Sequence, residues 1–178
     1  VTGELLATRP VGAYHQLTFA APGVAELASP GQFVALAVGG DTSANLLRRC
    51  FSIHQVSPGG THGGTVDVVV AAKGPGTRWL TSLSAHSEVN IIGPLGHGFP
   101  LPGDPVPCVL VGGGYGSAPL FWLAAALRER GCRVEMVLGA ATSEQLFGVD
   151  EARRASRAMD GVTVTTDDGS MGVKGWVS

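Results

Sequence analysis

Leu101-Pro102-Gly103-Asp104-Pro105 divides the sequence, because the rhythm of apolar residues differs on its two sides. Upstream, short runs rich in β-branched and aromatic residues alternate with Pro and Gly clusters. The runs are Leu17-Thr18-Phe19, Phe33-Val34-Ala35-Leu36-Ala37-Val38, Phe51-Ser52-Ile53-His54, Val66-Asp67-Val68-Val69-Val70 and Val89-Asn90-Ile91-Ile92, with breaks such as Ala21-Pro22-Gly23 and Ser57-Pro58-Gly59-Gly60. Short strands punctuated by turns describe a small antiparallel barrel or sandwich. Downstream the pattern predicts a strand over 106–111, a helix over about 117–130, a strand over 134–138, a helix near 150–159 and a strand over 162–166. That alternation belongs to an open parallel α/β sheet. The expected fold is therefore β followed by α/β, with domains over 1–102 and 103–178. Three strands and two helices are half of a doubly wound nucleotide fold, and a parallel sheet needs both faces covered, so the second domain is expected to be incomplete and to continue past Ser178.

Composition narrows the classes. With 178 residues and 44% apolar content the chain can build a real core, as one domain or two small ones, and reads as soluble and globular. A formal charge of −2 gives no electrostatic basis for binding nucleic acid or an anionic membrane. Residues 108–127 carry no formal charge over the length of a membrane span, but Gly112-Gly113-Gly114-Tyr115-Gly116 and Pro119 would interrupt a spanning helix. Strand, glycine turn and buried helix is the better reading. No signal peptide is visible, and the start at Val1 suggests residues removed or left out. Cys50, Cys108 and Cys132 are odd in number and lack CxxC spacing, which excludes a disulfide framework and a four-thiolate metal site. Reduced thiols in a cytoplasmic protein are expected. His15, His54, His62, His86 and His97 share no metal-like spacing, so no metal site is assigned.

Two segments about twenty residues apart carry the chemistry of the first domain: Arg49-Cys50-Phe51-Ser52 and Lys73-Gly74-Pro75-Gly76-Thr77. Alone, the first reads equally well as an ordinary strand with a surface Arg. Together they offer a guanidinium fork for phosphate oxygens, an aromatic and a hydroxyl for a flat ring and its edge, and the N–H groups and hydroxyl of Gly76-Thr77 at the positive end of a helix over 77–83. That combination points to a flavin dinucleotide. Neighbouring strand residues face opposite sides, so Arg48 is expected to point to solvent.

Gly93-Pro94-Leu95-Gly96-His97-Gly98-Phe99 closes the first domain, either as a plain connector or as a close approach to ligand, with His97 read as an exposed loop residue. In the second domain, residues 111–119 form a glycine-rich strand-to-helix turn in which Gly113, Gly114, Tyr115 and Gly116 can receive a pyrophosphate, with Ser117 as N-cap and Pro119 in the first helical turn. It departs from the dehydrogenase fingerprint: Ser117 stands where a third glycine belongs, and the second strand runs out at Leu138-Gly139-Ala140 without its acidic residue. Leu120, Leu123, Ala124 and Leu127 form an apolar stripe and are core. Asp167-Asp168-Gly169-Ser170 follows the third strand. It is either a plain acidic turn or a seat for the adenosine ribose, where two carboxylates would favour NAD over NADP.

These residues resemble the ferredoxin reductase-like flavoproteins, and among them most closely the electron-transfer subunits of NAD-dependent dihydroorotate dehydrogenase. The resemblance covers essentially the whole chain and is most specific at Thr166-Asp167-Asp168-Gly169-Ser170-Met171-Gly172-Val173-Lys174-Gly175. It implies FAD on an N-terminal Greek-key barrel, NAD on the α/β domain, a [2Fe-2S] cluster held by four cysteines near the family's C-terminus, and a catalytic FMN subunit of dihydroorotate dehydrogenase as partner, in pyrimidine biosynthesis. It assigns Arg49, Cys50, Phe51, Ser52, Gly76 and Thr77 to FAD, with Ser52 at flavin N5 and the backbone of Val69, Val70 and Ala71 along the cofactor; Gly113, Gly114, Tyr115, Gly116 and Asp168 go to NAD. Val70 and Ala71 stand where family members often have an aromatic and an Arg, which shifts some contacts elsewhere, such as to Lys73. The family's Cys-Gly-Pro segment and cluster cysteines have no counterpart here, so the cluster is expected only in a full-length subunit. A reductase serving an oxygenase, hydrogenase or sulfur-reducing partner, and a flavin-binding docking module without reductase activity, are the alternatives.

Overall fold

A computed structural model describes residues 1–40, 45–155 and 161–177. The chain divides into two compact units, one of Val1–Pro10 with Tyr14–Phe99 and one of Val11–Ala13 with Pro100–Ser178.

In the first unit six antiparallel strands close into a barrel. They are β1 (Thr2–Val11), β2 (Tyr14–Ala20), β3 (Phe33–Leu36), β4 (Arg49–Pro58), β5 (Gly64–Val70) and β6 (Glu88–Leu95), in spatial order β1-β2-β5-β4-β3-β6. Closure leaves no free sheet edge. A short helical turn α1 (Pro22–Ala25) follows β2, and helix α2 (Pro75–Ser82) follows β5. Leu5, Leu17, Phe19, Val34, Leu36, Ile53, Val68, Val70 and Ile91 are at most 1% exposed and fill the barrel. β1 was not expected from the sequence, whose Glu4-Leu5-Leu6-Ala7 run favours helix. It forms because its alternate residues Gly3 and Leu5 are buried and its start pairs with β6, Gly3 opposite Val89. Gly3 is required there, since a Cβ would stand 2.4 Å from Ile91 Cδ1.

In the second unit four parallel strands, β7 (Pro107–Gly113), β8 (Arg133–Ala140), β9 (Gly161–Thr166) and β10 (Val173–Lys174), lie in the order β10-β9-β8-β7. Helix α3 (Ala118–Glu129) joins β7 to β8, and α4 (Val149–Ala155) lies between β8 and β9. The helix expected near 150–159 is described only to residue 155; 156–160 lie outside the described residues. The parallel α/β pattern is thus present with one strand, β10, that the sequence did not signal. Val109 and Val111, alternate residues of β7, remain more than half exposed while Leu110 between them is buried. Among the described residues, no helix is long and apolar enough to cross a membrane.

Candidate functional site

β4 carries Arg49, Cys50, Phe51 and Ser52 as its first four residues, with Arg49 and Phe51 half-buried and Cys50 and Ser52 exposed. Strand alternation makes two pairs of these four. Opposite them on β3 stand Leu36, Ala35, Val34 and Phe33 in turn. From Arg49 to Ser52 the strand advances about 10 Å, room for a phosphate group at one end and a ring at the other.

The Arg49 end meets α2. A Cβ built on Gly76 would lie 2.9 Å from Val38 Cγ2, too close without a shift, and at an ordinary contact distance of 3.5 Å from Arg49 Nε, so glycine lets the helix start pack on Val38 beside the guanidinium. Arg49 Nη1 donates to the Leu47 carbonyl at 2.7 Å, which fixes the direction of the fork. Pro75 has no N–H, Arg78 N–H is taken by the Gly74 carbonyl at 2.9 Å, and the N–H groups of Gly76 and Thr77 have no backbone acceptor among the described residues. Two free amides at a helix N-terminus beside a guanidinium make an anion seat. The Thr77 hydroxyl is already engaged: it accepts from Gly74 N–H at 3.0 Å and donates to the Gly74 carbonyl at 3.1 Å. Its contribution is to close the loop, and its hydrogen is not available to a ligand in this arrangement.

Arg48 corrects the expectation that it points to solvent. It is half-buried and clamps two strands, donating from Nη1 to the carbonyls of Ala35 (3.3 Å) and Asn90 (3.0 Å) and from Nη2 to Asn90 Oδ1 (2.6 Å). Val69, Val70 and Ala71 are buried at the end of β5, Val69 opposite Gln16 and Val70 opposite His15. Lys73 is exposed, with its N–H on the Ala71 carbonyl at 2.8 Å. His97 is exposed, as are its neighbours Gly96, Gly98 and Phe99.

In the second unit β7 ends at Gly113, and a 3-10 turn, Gly114–Ser117, leads into α3. The glycines of this turn have separate reasons. At Gly112 a Cβ would stand 2.6 Å from Ser117 Cβ and 2.8 Å from Leu120 Cδ1, so it permits the helix to pack on the strand; Gly114 has φ +52°; Gly116 faces open space. Ser117 does not act as an N-cap. It is helical in φ and ψ, 1% exposed, and its hydroxyl donates back to the Gly114 carbonyl at 2.7 Å. Pro119 does stand in the first turn of α3.

The C-terminal ends of β8 and β9 are tied together. Asp167 N–H reaches the Ala140 carbonyl at 3.1 Å, and Asp168 Oδ1 accepts from Ser170 N–H (2.9 Å) and Ser170 Oγ (2.6 Å). Ser170 Oγ in turn accepts from Ser143 N–H at 2.8 Å. The Ser170 hydroxyl and amide hold the Asp168 carboxyl below the ordinary carboxylate value. Ser143 opens a short 3-10 turn, Ser143–Gln145, that places exposed Glu144 just beyond β8. Sequence reading missed this acidic residue because it lies past the strand end. Among the described residues, no three His, Cys, Asp or Glu side chains are grouped to hold a metal.

No protein-family model matches the chain. The fold is shared with solved structures. One, described as the NADH-dependent reduced ferredoxin-NADP oxidoreductase, superimposes with a TM-score of 0.80 at 30% identity over 97% of this chain and 59% of the other. The flavohem-like FAD/NAD binding domain of nitric oxide dioxygenase from Vibrio cholerae superimposes with a TM-score of 0.81 at 16% identity, a likeness of fold alone. The chain has the fold of the ferredoxin reductase-like group of proteins. Within it, the chain is similar to the electron transfer subunits of dihydroorotate dehydrogenase B (NAD(+)): 39% identical over 167 residues to that of Geobacillus thermodenitrificans and 38% over 165 to that of Desulforamulus reducens. Each alignment takes in 92% of this chain, which spans about three-fifths of the relatives' length (62% and 60%).

Proposed function

We propose that the chain is the FAD-carrying part, with the beginning of the NAD-binding part, of an electron-transfer subunit that passes electrons between NAD and a dihydroorotate dehydrogenase catalytic subunit. In this reading residues 1–102 form the FAD domain and 103–178 the start of the NAD domain. The observation that carries it is the seat made by Arg49 against Gly76, where a side-chain-free helix start leaves two amides beside a guanidinium. Those groups fit a pyrophosphate, because a guanidinium and two backbone amides are all hydrogen-bond donors. The exposed Ser52 hydroxyl is the donor for the ring edge, and half-buried Phe51 supplies apolar surface beside it.

FAD, when bound, supplies the hydride and single-electron chemistry that no side chain of this chain offers. The chain's own work is to hold and orient. Arg49, Gly76 and Thr77 fix the phosphates, the backbone of Val69, Val70 and Ala71 lines the cofactor, and Ser52 Oγ holds a proton at the ring edge. In the second unit Gly113, Gly114, Tyr115 and Gly116 present the opening of α3 to a pyrophosphate, and Asp168, fixed by Ser170, serves the adenosine ribose. The relatives' names supply NAD and the dehydrogenase partner. Cys50 lies on the barrel and Cys108 and Cys132 in the second unit, a set that does not fit a [2Fe-2S] cluster, which takes four cysteines.

The test is FAD retention. The purified chain should keep yellow absorbance through gel filtration, and Arg49→Ala should weaken FAD binding about tenfold or more, as expected for losing a charge-assisted phosphate contact. Unchanged absorbance in that variant refutes the seat. Similarity to the ferredoxin-NADP oxidoreductase supports a second reading, a reductase for another acceptor. Copurification with a dihydroorotate-oxidising subunit separates the two.

A further inference from the structure

The sheet of the second unit carries a gap in its side chains at the C-terminal ends of the strands. Gly113 on β7 stands opposite Gly139 on β8, which stands opposite Thr165 on β9, and this row faces the side on which Val109 and Val111 are exposed. Neither glycine has a left-handed φ, so it is the missing side chain and not the backbone that matters at both. Val177 fills the gap. A Cβ on Gly139 would overlap Val177 Cβ and stand 2.8 Å from both Val177 Cγ2 and Thr165 Oγ1, and one on Gly113 would stand 3.8 Å from Val177 Cγ1. The chain arrives there from β10: the Gly175 N–H donates to the Thr166 carbonyl at 3.0 Å, Gly175 has φ +148°, and Trp176 stays exposed while Val177 turns in. On the other side of the sheet Gly112 packs on Ser117 and Leu120. The end of β7, where the strand passes into the Gly114–Ser117 turn, is thus held from both faces.

We propose that Val177 is a positioning residue for the nucleotide turn. It fixes Gly113 from the face opposite α3, and through Gly113 the backbone of Gly114–Gly116 that receives a pyrophosphate. This role rests on the reading of Gly113–Gly116 as the NAD seat. Val177 acts through the turn: with Gly113 pressed between Val177 and the helix layer, the amides of the turn keep their direction before a ligand arrives, and less of the binding free energy is lost to ordering them. The same packing accounts for the end of β8. A dinucleotide fold commonly ends its second strand on an acidic residue, whereas any side chain at position 139 would take the place of Val177. The glycine there serves the brace, and recognition of the ribose passes to the loop after β9.

Two variants test the brace from opposite sides: Val177→Ala empties the gap, and Gly139→Ala blocks it. Hydrogen exchange read by mass spectrometry should quicken about tenfold over residues 110–118 in both, while residues 121–130 exchange as in the wild type. Affinity for ADP-ribose, which carries the pyrophosphate, should fall about fivefold or more by calorimetry, with FAD retention unchanged. Unaltered exchange over 110–118 in Val177→Ala overturns the proposal. Exchange that quickens equally over 121–130 marks a general loss of stability and overturns it too, as does faster local exchange with ADP-ribose affinity unchanged. Failure of the NAD reading looks different: the wild-type chain then binds no ADP-ribose, and the role of Val177 falls with it.

Discussion

Arg49 and Gly76, on separate elements of the barrel unit, stand so close that a single methyl group on Gly76 would lie 3.5 Å from the Arg49 Nε and 2.9 Å from Val38. The clash is with Val38, so the glycine lets the start of α2 pack on that side chain, with the guanidinium in ordinary contact beside it. Gly76→Ala should force Val38 and the start of α2 apart, costing about 1–3 kcal/mol of stability and weakening FAD retention several-fold. Gly74→Ala is the matched control, because a Cβ there meets nothing within 4 Å and the backbone is extended. Urea melts and flavin titration of the two variants should diverge in both quantities.

Arg48 should behave unlike its neighbour. Its three hydrogen bonds join β3 to β6, so Arg48→Ala is expected to cost about 1–3 kcal/mol of barrel stability. At temperatures well below the melt, FAD affinity should stay within about twofold. Arg48→Lys should recover little of the loss, because an ammonium cannot span the Asn90 carbonyl and Oδ1 as a planar fork does. Thermal denaturation monitored in parallel with bound-flavin absorbance separates the two arginines.

Within the glycine turn of the second unit, Gly112 and Gly116 should part company. Gly112→Ala places a Cβ 2.6 Å from Ser117 Cβ and 2.8 Å from Leu120 Cδ1, an overpacking expected to cost about 1–3 kcal/mol. Gly116→Ala enters open space without a left-handed φ and should leave the melt unchanged within about 0.5 kcal/mol. Calorimetry on both variants checks the contrast.

Asp168 gives a pH signature. Its carboxyl is lowered by Ser170, so the native state binds its proton more weakly than the unfolded chain does. Its contribution is present in full above the ordinary Asp range, about 3.9, and is lost as pH falls through the lower native value. The Ser170 amide proton, followed by NMR, should therefore titrate below pH 4. In Asp168→Asn that titration should vanish, and the link to Ser143 should loosen at every pH.

Much of this was legible in the sequence, and for identifiable reasons. Val66 to Val70 and Val134 to Leu138 read as strands because β-branched runs between turn residues have few other uses. The Leu101 to Pro105 break marked where the pattern changes. β1 was not legible, because Glu4-Leu5-Leu6-Ala7 carries helix propensity and only pairing with β6 across more than eighty residues overrides it. Ser117 read as a cap because the residue type and the following Pro119 fit one. What the sequence could not show was the close packing of α3 on Gly112, which draws Ser117 into the preceding 3-10 turn. The proposed flavin segments were visible as residue types at a distance. Their meeting at Gly76 depends on Val38, an ordinary apolar residue that carries no signal of its own.

The loop between β5 and α2 is fastened by its own groups: Lys73 N–H to Ala71, the Thr77 hydroxyl to both backbone atoms of Gly74, and Arg78 N–H to Gly74. An incoming dinucleotide therefore finds the seat already shaped, and its arrival need not wait for a slow rearrangement of the protein. Association should follow one exponential with a rate linear in ligand concentration, and differences among variants of this loop should be expressed in how long the cofactor stays.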